Sequence, residues 1–162
     1  FHATHADREV NRIASAPELV QWTSPSGVCL DLHLPATVYP PREDTDLLIS
    51  ALGPHHLRQG SSWLEIGCGS GVVSWWAATN GCRVTACDIN PLAVATTRGL
   101  LAQHGLSGKV HEGGPGPAND GGLDQWGGEH LYDTVVWNTP YLSSDVLEAG
   151  ALGPMELSLI HI

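Results

Sequence analysis

Residues 64–71 read LEIGCGSG, and no other stretch limits the architecture of this chain as much. The apolar run Trp63–Ile66 stops at three alternating glycines, Gly67, Gly69 and Gly71, and a second apolar run, VVSWWAAT, starts at once. A strand that turns on glycines into a helix opens a βαβ unit. Glycine adopts φ > 0 freely and lets a ligand approach the backbone closely. The next run, CRVTACD, ends on Asp88, and Asn90, Pro91 and a helical pattern up to Gly105 follow. Pro91 suits a first helical turn, and Gly81 and Gly105 suit the two helix ends.

The flanking segments extend this grammar. In VCLDLHL, residues 28–34, Val28, Leu30, Leu32 and Leu34 alternate with Cys29, Asp31 and His33, the period of a half-buried strand. VYPPREDTDLLISALG breaks at Pro40 and Pro41 and resumes as a helix closed by Gly53 and Pro54. GKVHEG and YDTVVWN read as two more strands, separated by the glycine-rich stretch 113–129, which reads as a loop. The order predicts an α/β fold with a mostly parallel sheet. A chain of 162 residues with 42% apolar content supports one domain and hardly two.

Composition narrows the setting. No run approaches the roughly 18 apolar residues needed to span a bilayer, and no charged-then-apolar leader opens the chain. It begins at Phe1 rather than Met, so the natural N-terminus is expected upstream. Cys29, Cys68, Cys82 and Cys87 form no C-x-x-C pair, which signals neither zinc nor a thioredoxin-type motif. Most of them sit in apolar stretches and read as reduced core residues of a cytoplasmic protein. The net charge of −10 repels phosphate backbones, so nucleic acid is expected to be an unlikely partner.

Two features carry chemistry. The dinucleotide fingerprint would place its third glycine at position 72, where Val72 stands, so a pyrophosphate on the helix N-terminus is disfavoured. Asp88 lies 21 residues after Gly67 (88 − 67), near the offset at which such folds bring a carboxylate to ribose hydroxyls. An ionised carboxylate accepts both hydroxyl protons. Its alternative role is to cap the helix at Pro91. The second feature is the apolar run that ends in Asn138-Thr139-Pro140-Tyr141. That corner is either an Asn-x-Pro turn or a holder for a planar nitrogen.

Three motifs in register decide between these alternatives: Val38-Tyr39-Pro40-Pro41-Arg42-Glu43-Asp44-Thr45-Asp46-Leu47-Leu48, the turn LEIGCGSG through Asp88, and the Asn138 corner. Together, over residues 38–141, they resemble class I S-adenosylmethionine-dependent methyltransferases. Within these the chain looks like the HemK-like glutamine methyltransferases of peptide-chain release factors, in their archaeal and eukaryotic branch. The resemblance implies S-adenosylmethionine as cofactor, with Thr45, Glu65, Gly67, Cys68, Gly69, Gly71, Asp88, Ile89 and Asn138 around it. Asp120 or Glu112 would reach the adenine amine. Asn138 and the Thr139 carbonyl would hold the acceptor NH2, Tyr141 would pack on its flat face, and Pro140 completes this candidate catalytic corner. Thr139 replaces the family's usual proline and loosens the corner without removing the accepting carbonyl.

The implied substrate is the Gly-Gly-Gln glutamine of a release factor, and the implied partner a small zinc-binding activator protein. A methyltransferase of adenine or guanine amines in DNA or ribosomal RNA, and a non-catalytic cofactor-binding subunit, are the alternatives. The family's complete sheet runs 3-2-1-4-5-7-6, so the chain is expected to be a fragment. It divides into an N-terminal segment with one strand (1–37), an incomplete methyltransferase core (38–156) and a non-native tail (157–162).

Overall fold

The computed structural model describes residues 16–53, 56–114 and 131–139. Six strands and three helices follow one another: β1 (Glu18–Thr23), β2 (Cys29–Leu34), α1 (Glu43–Leu52), β3 (Ser62–Ile66), α2 (Val72–Thr79), β4 (Arg83–Asp88), α3 (Pro91–Gln103), β5 (Gly108–Glu112) and β6 (Thr134–Trp137). Strands β3 to β6 form one parallel sheet in the order β5-β4-β3-β6. That is the 3-2-1-4 half of the expected sheet, and the fold is a class I methyltransferase-like α/β fold. Each helix starts and stops where local chemistry says it should. Asn90 caps α3 by accepting the Leu92 N–H at 3.0 Å, Pro91 fills its first position, and Gly105 turns out of it at φ +65°. Gly81, at φ +84°, closes α2 in the same way.

Ahead of the sheet stands an antiparallel hairpin, β1 with β2, in place of the single expected strand. Its inward face pairs Trp22 with Leu30 and Val20 with Leu32. Trp22 meets Trp75 of α2 edge-on at 6.3 Å, so the hairpin and the sheet share one core. Trp75 and Trp76 are both buried core residues, and Trp76 packs edge-on against Trp63. Two polar ties fix the hairpin side to the site. Trp22 Nε1 donates to Asp46 Oδ1 of α1 at 2.9 Å, and the Asn90 amide donates to the Thr37 carbonyl at 3.1 Å. Cys68, Cys82 and Cys87 are buried free thiols, but Cys29 is exposed on the outer face of β2. The cysteines are thus not all core residues.

Among the described residues β6 is an edge of the sheet, and it presents Val135 at 56% exposure. An apolar edge strand invites pairing with another chain. Val135→Lys is expected to reduce light scattering on heating while changing stability by no more than about 0.5 kcal/mol. An unchanged onset of scattering would place the sticky surface elsewhere.

Candidate active site

The carboxyl ends of the parallel strands converge on one rim, where open α/β sheets bind ligands. Ile66 pairs with Trp137 and Cys87, and Asp88 pairs with Glu112, so Gly67, Asp88, Glu112 and Asn138 all emerge at the same end of the sheet. The turn after β3 is built from left-handed glycines, with φ of +72° at Gly67, +48° at Gly69 and +83° at Gly71. Several of its N–H groups have partners: those of Gly67 and Cys68 donate to the Cys87 carbonyl, at 2.8 and 3.0 Å, and that of Gly71 donates to the Cys68 carbonyl. Gly71 lies against α3, where an added Cβ would stand 2.9 Å from the Thr97 Cα. Gly69 is the opposite case, since a Cβ there would meet nothing within 4 Å. The turn is therefore closed on its helix side and open beside Gly69, which suits a ligand laid along the backbone. Cys68 is buried beneath the turn, and desolvation pushes its thiol well above the ordinary range. Ile89, half-buried, follows directly on Asp88.

Asp88 holds the turn. Its Oδ2 accepts the Gly69 N–H and its Oδ1 the Asn90 N–H, both at 2.9 Å. Burial raises its pKa, and these hydrogen bonds oppose the rise. The capping role that Asp88 could have filled belongs to Asn90. Each carboxylate oxygen keeps a further lone pair for a ribose hydroxyl. Glu65, one strand over, is fully buried and accepts a short hydrogen bond from the Ser74 hydroxyl of α2, so it braces the strand to the helix below the turn. Desolvation pushes its carboxyl up to about 8, against the Ser74 hydrogen bond and helped by the charge of Asp88.

The sign of the consequence is fixed. The folded state binds this proton more tightly than the unfolded state, whose value is near 4.5, so the stabilisation is complete below 4.5 and is lost as pH rises towards 8. The slope is at most about 1.4 kcal/mol per pH unit. Glu65→Gln is expected to flatten this dependence and to match or exceed the parent in Tm at pH 8. Parallel Tm-versus-pH curves for the two proteins would rule out a neutral Glu65.

At the end of β6 the side chain of Asn138 is exposed, and its Nδ2 donates to Asp44 Oδ2 in the first turn of α1 at 2.8 Å. This bond brings the EDT segment and the Asn-x-Pro corner together across 94 positions of sequence. Thr45, beside it, is buried, and its hydroxyl accepts the Arg42 N–H at 3.4 Å, a helix-capping contact. Trp137 lies with the pyrrole edge of its indole 3.9 Å from the Cβ position of Gly67, so it walls the glycine turn. Thr139 is exposed. Pro140, Tyr141 and Asp120 lie outside the described residues, as does the expected tail, 157–162. Of the two acids offered for the adenine, Glu112 stands on the rim in register with Asp88.

Sequence reasoning missed Asp44, Trp137 and Thr97. Thr97 is fully buried against Gly71, and its hydroxyl donates to the Gly69 carbonyl at 3.4 Å. Only Asp44 left a signal, its place inside the EDT segment.

Residues 42–152 match the model of the methyltransferase small domain. The chain belongs to this family. The methyltransferase small domain chain is 28% identical over 147 residues to a ribosomal RNA small subunit methyltransferase C from Chromohalobacter salexigens, covering 86% of this chain and 40% of the relative. To the protein of the same name from Alcanivorax borkumensis it is 35% identical over 71 residues, covering 44% of this chain and 22% of the relative. It thus spans well under two thirds of the length of these curated relatives. A T. Thermophilus 16S rRNA N2-guanine methyltransferase, solved with AdoMet and guanosine, superposes with a TM-score of 0.65 at 19% identity, over 83% of this chain and 37% of that one.

These findings correct the finer part of the family reading. The chain is related to ribosomal RNA methyltransferases rather than specifically to HemK-like release-factor glutamine methyltransferases. The release-factor substrate, the role in translation termination, the protein glutamine N-methyltransferase activity and the zinc-binding activator that came with that reading fall with it. The physical reason is that an amide and a base amine present the same planar NH2 group, so the motifs that carried the resemblance do not tell the two acceptors apart. The expectation that nucleic acid is an unlikely partner is corrected too. Phosphate contacts depend on where individual cations and N–H groups stand, which a net charge of −10 does not report.

Proposed function

We propose that this methyltransferase small domain chain carries out S-adenosylmethionine-dependent N-methylation of a base amine in small-subunit ribosomal RNA, acting in the cytoplasm. The observation that carries the reading is the meeting of Asn138, held by Asp44, with the glycine turn walled by Trp137. The names of the curated relatives support RNA as the acceptor class. The cofactor is S-adenosylmethionine, which supplies an electrophilic methyl carbon on a sulfonium. Its place is beside the open flank of Gly69, with Gly67, Cys68, Gly71, Asp88, Ile89 and Glu112 on the same rim and Thr45 and Glu65 behind them.

A base amine is a poor nucleophile because its lone pair is delocalised into the ring. The Asn138 amide oxygen accepts one of its N–H groups and the Thr139 carbonyl accepts the other, which fixes the plane of the amine. This is catalysis by orientation rather than by acid–base transfer. No proton shuttle is required of either residue.

The test is incubation of the full chain with methyl-tritiated S-adenosylmethionine and small-subunit rRNA lacking its modifications, with nuclease digestion to locate the label. Label on a methylated base nucleoside is the expected result. Label that resists nuclease and sits on protein would overturn the reading, and so would cofactor binding with no transfer to RNA.

A further inference from the structure

We infer that Asp44 is a positioning residue that sets the orientation of the Asn138 amide, and so determines that an oxygen, not an NH2, faces the acceptor nitrogen. The inference rests on the proposed base-amine chemistry and deepens it. An asparagine amide is nearly symmetric in shape and presents either a donor or an acceptor depending on its flip. At an exposed position such as Asn138 the backbone alone does not choose between them. The contact with Asp44 does. A carboxylate has no proton to give, so only the NH2 group can face Asp44 Oδ2, at the observed 2.8 Å. The amide oxygen is left to face away, towards the N–H of an amine. The opposite flip would place two acceptors against each other at Asp44 and a donor against the donors of the substrate, and both contacts would repel.

A second observation argues that this is why an acid stands here. Among the described residues Asp44 Oδ1 is buried with no hydrogen-bond partner. Buried polar atoms are nearly always paired, and an unpaired carboxylate oxygen costs stability. The first turn of α1 already carries Glu43 and Asp46, so the helix dipole is served without Asp44. A buried carboxylate oxygen without a partner, beside an exposed polar side chain, is the kind of local inconsistency expected at a functional site. The cost falls on Asp44, and the benefit appears at Asn138.

Asp44→Asn tests this with almost no change of shape. The new amide can give or accept, so both flips of Asn138 become acceptable to it. In the full chain, with methyl-tritiated S-adenosylmethionine and unmodified small-subunit rRNA, kcat is expected to fall about twofold, the loss that follows when half of the Asn138 amides stand in the wrong flip. The Kd for S-adenosylmethionine, measured by calorimetry, should stay within about threefold, and Tm should hold or rise. The decisive arm is the double variant. If Asp44 acts through Asn138, Asp44→Asn adds no further loss in an Asn138→Ala background. Additive losses in the double variant, or an Asp44→Asn protein with unchanged kcat, would overturn the inference and leave the base-amine reading standing. A parent protein that transfers no label to RNA would instead overturn the base-amine reading, before Asp44 is at issue.

Discussion

Replacing Asn138 by alanine is expected to lower kcat by about 10²- to 10³-fold and to leave the Kd for S-adenosylmethionine within about threefold. The split follows from where the side chain stands. Asn138 is exposed at the end of β6 and reaches Asp44 through its NH2, which leaves the amide oxygen as the group an incoming amine would meet. The glycine turn is held separately, by the Cys87 carbonyl and by Asp88, and neither contact involves Asn138. Truncation should therefore spare cofactor binding and remove the orientation of the acceptor. Folding should be little affected, because the side chain makes one exposed hydrogen bond and Val136, its buried neighbour on the strand, is retained. Asn138→Asp should be worse than alanine, since it would set a second carboxylate against Asp44. Single-turnover rates with RNA in excess, beside calorimetric titration of the cofactor, measure the two effects independently. A parent-like kcat for Asn138→Ala would remove this corner from the chemistry.

Most of the sheet was legible because its punctuation is local. Gly67 to Gly71, Gly81, Pro91 and Gly105 each mark a boundary that the structure places within a residue or two. Strand β1 was not legible, because Leu19, apolar but at 61% exposure, stands out of phase with the alternation of Val20 and Trp22. What buries Trp22 is Trp75 of α2, a tertiary contact that no window of sequence contains. The site divides in the same way. The glycine turn and Asp88 could be read from their spacing, but the bond between Asp44 and Asn138 spans 94 positions and exists only once β3 and β6 are paired. The acceptor was misjudged for a different reason. An amide and a base amine are both planar nitrogens, and nothing within the motifs distinguishes one from the other. The separation comes from outside the motifs, from curated relatives that bear the name of ribosomal RNA methyltransferases.

Gly71→Ala is expected to destabilise the protein by about 2–4 kcal/mol, whereas Gly69→Ala should cost about 1 kcal/mol or less and act instead on the cofactor. Both residues lie in the left-handed region, at φ +83° and +48°. The conformational penalty for a side chain is therefore similar at the two sites. The difference is in what the new methyl group meets. At Gly71 it would stand 2.9 Å from the Cα of Thr97 and 2.9 Å from its hydroxyl, so either α3 or the turn must move. Thr97 is fully buried and cannot swing aside into solvent. Moving α3 would strain the Asn90 cap, and with it the Asp88 hydrogen bond to the Asn90 N–H. At Gly69 the methyl group would enter open space, the space assigned here to the cofactor. Gly71→Ala should thus lower Tm by roughly 5–15 °C for a domain of this size, with a parallel loss of every site property. Gly69→Ala should keep Tm within a few degrees of the parent in the absence of cofactor, and should abolish most of the rise in Tm that S-adenosylmethionine produces. Equal Tm losses for the two variants would mean that the turn is uniformly packed. A Gly69→Ala protein that still gains full stability from the cofactor would move the ligand off this flank of the turn.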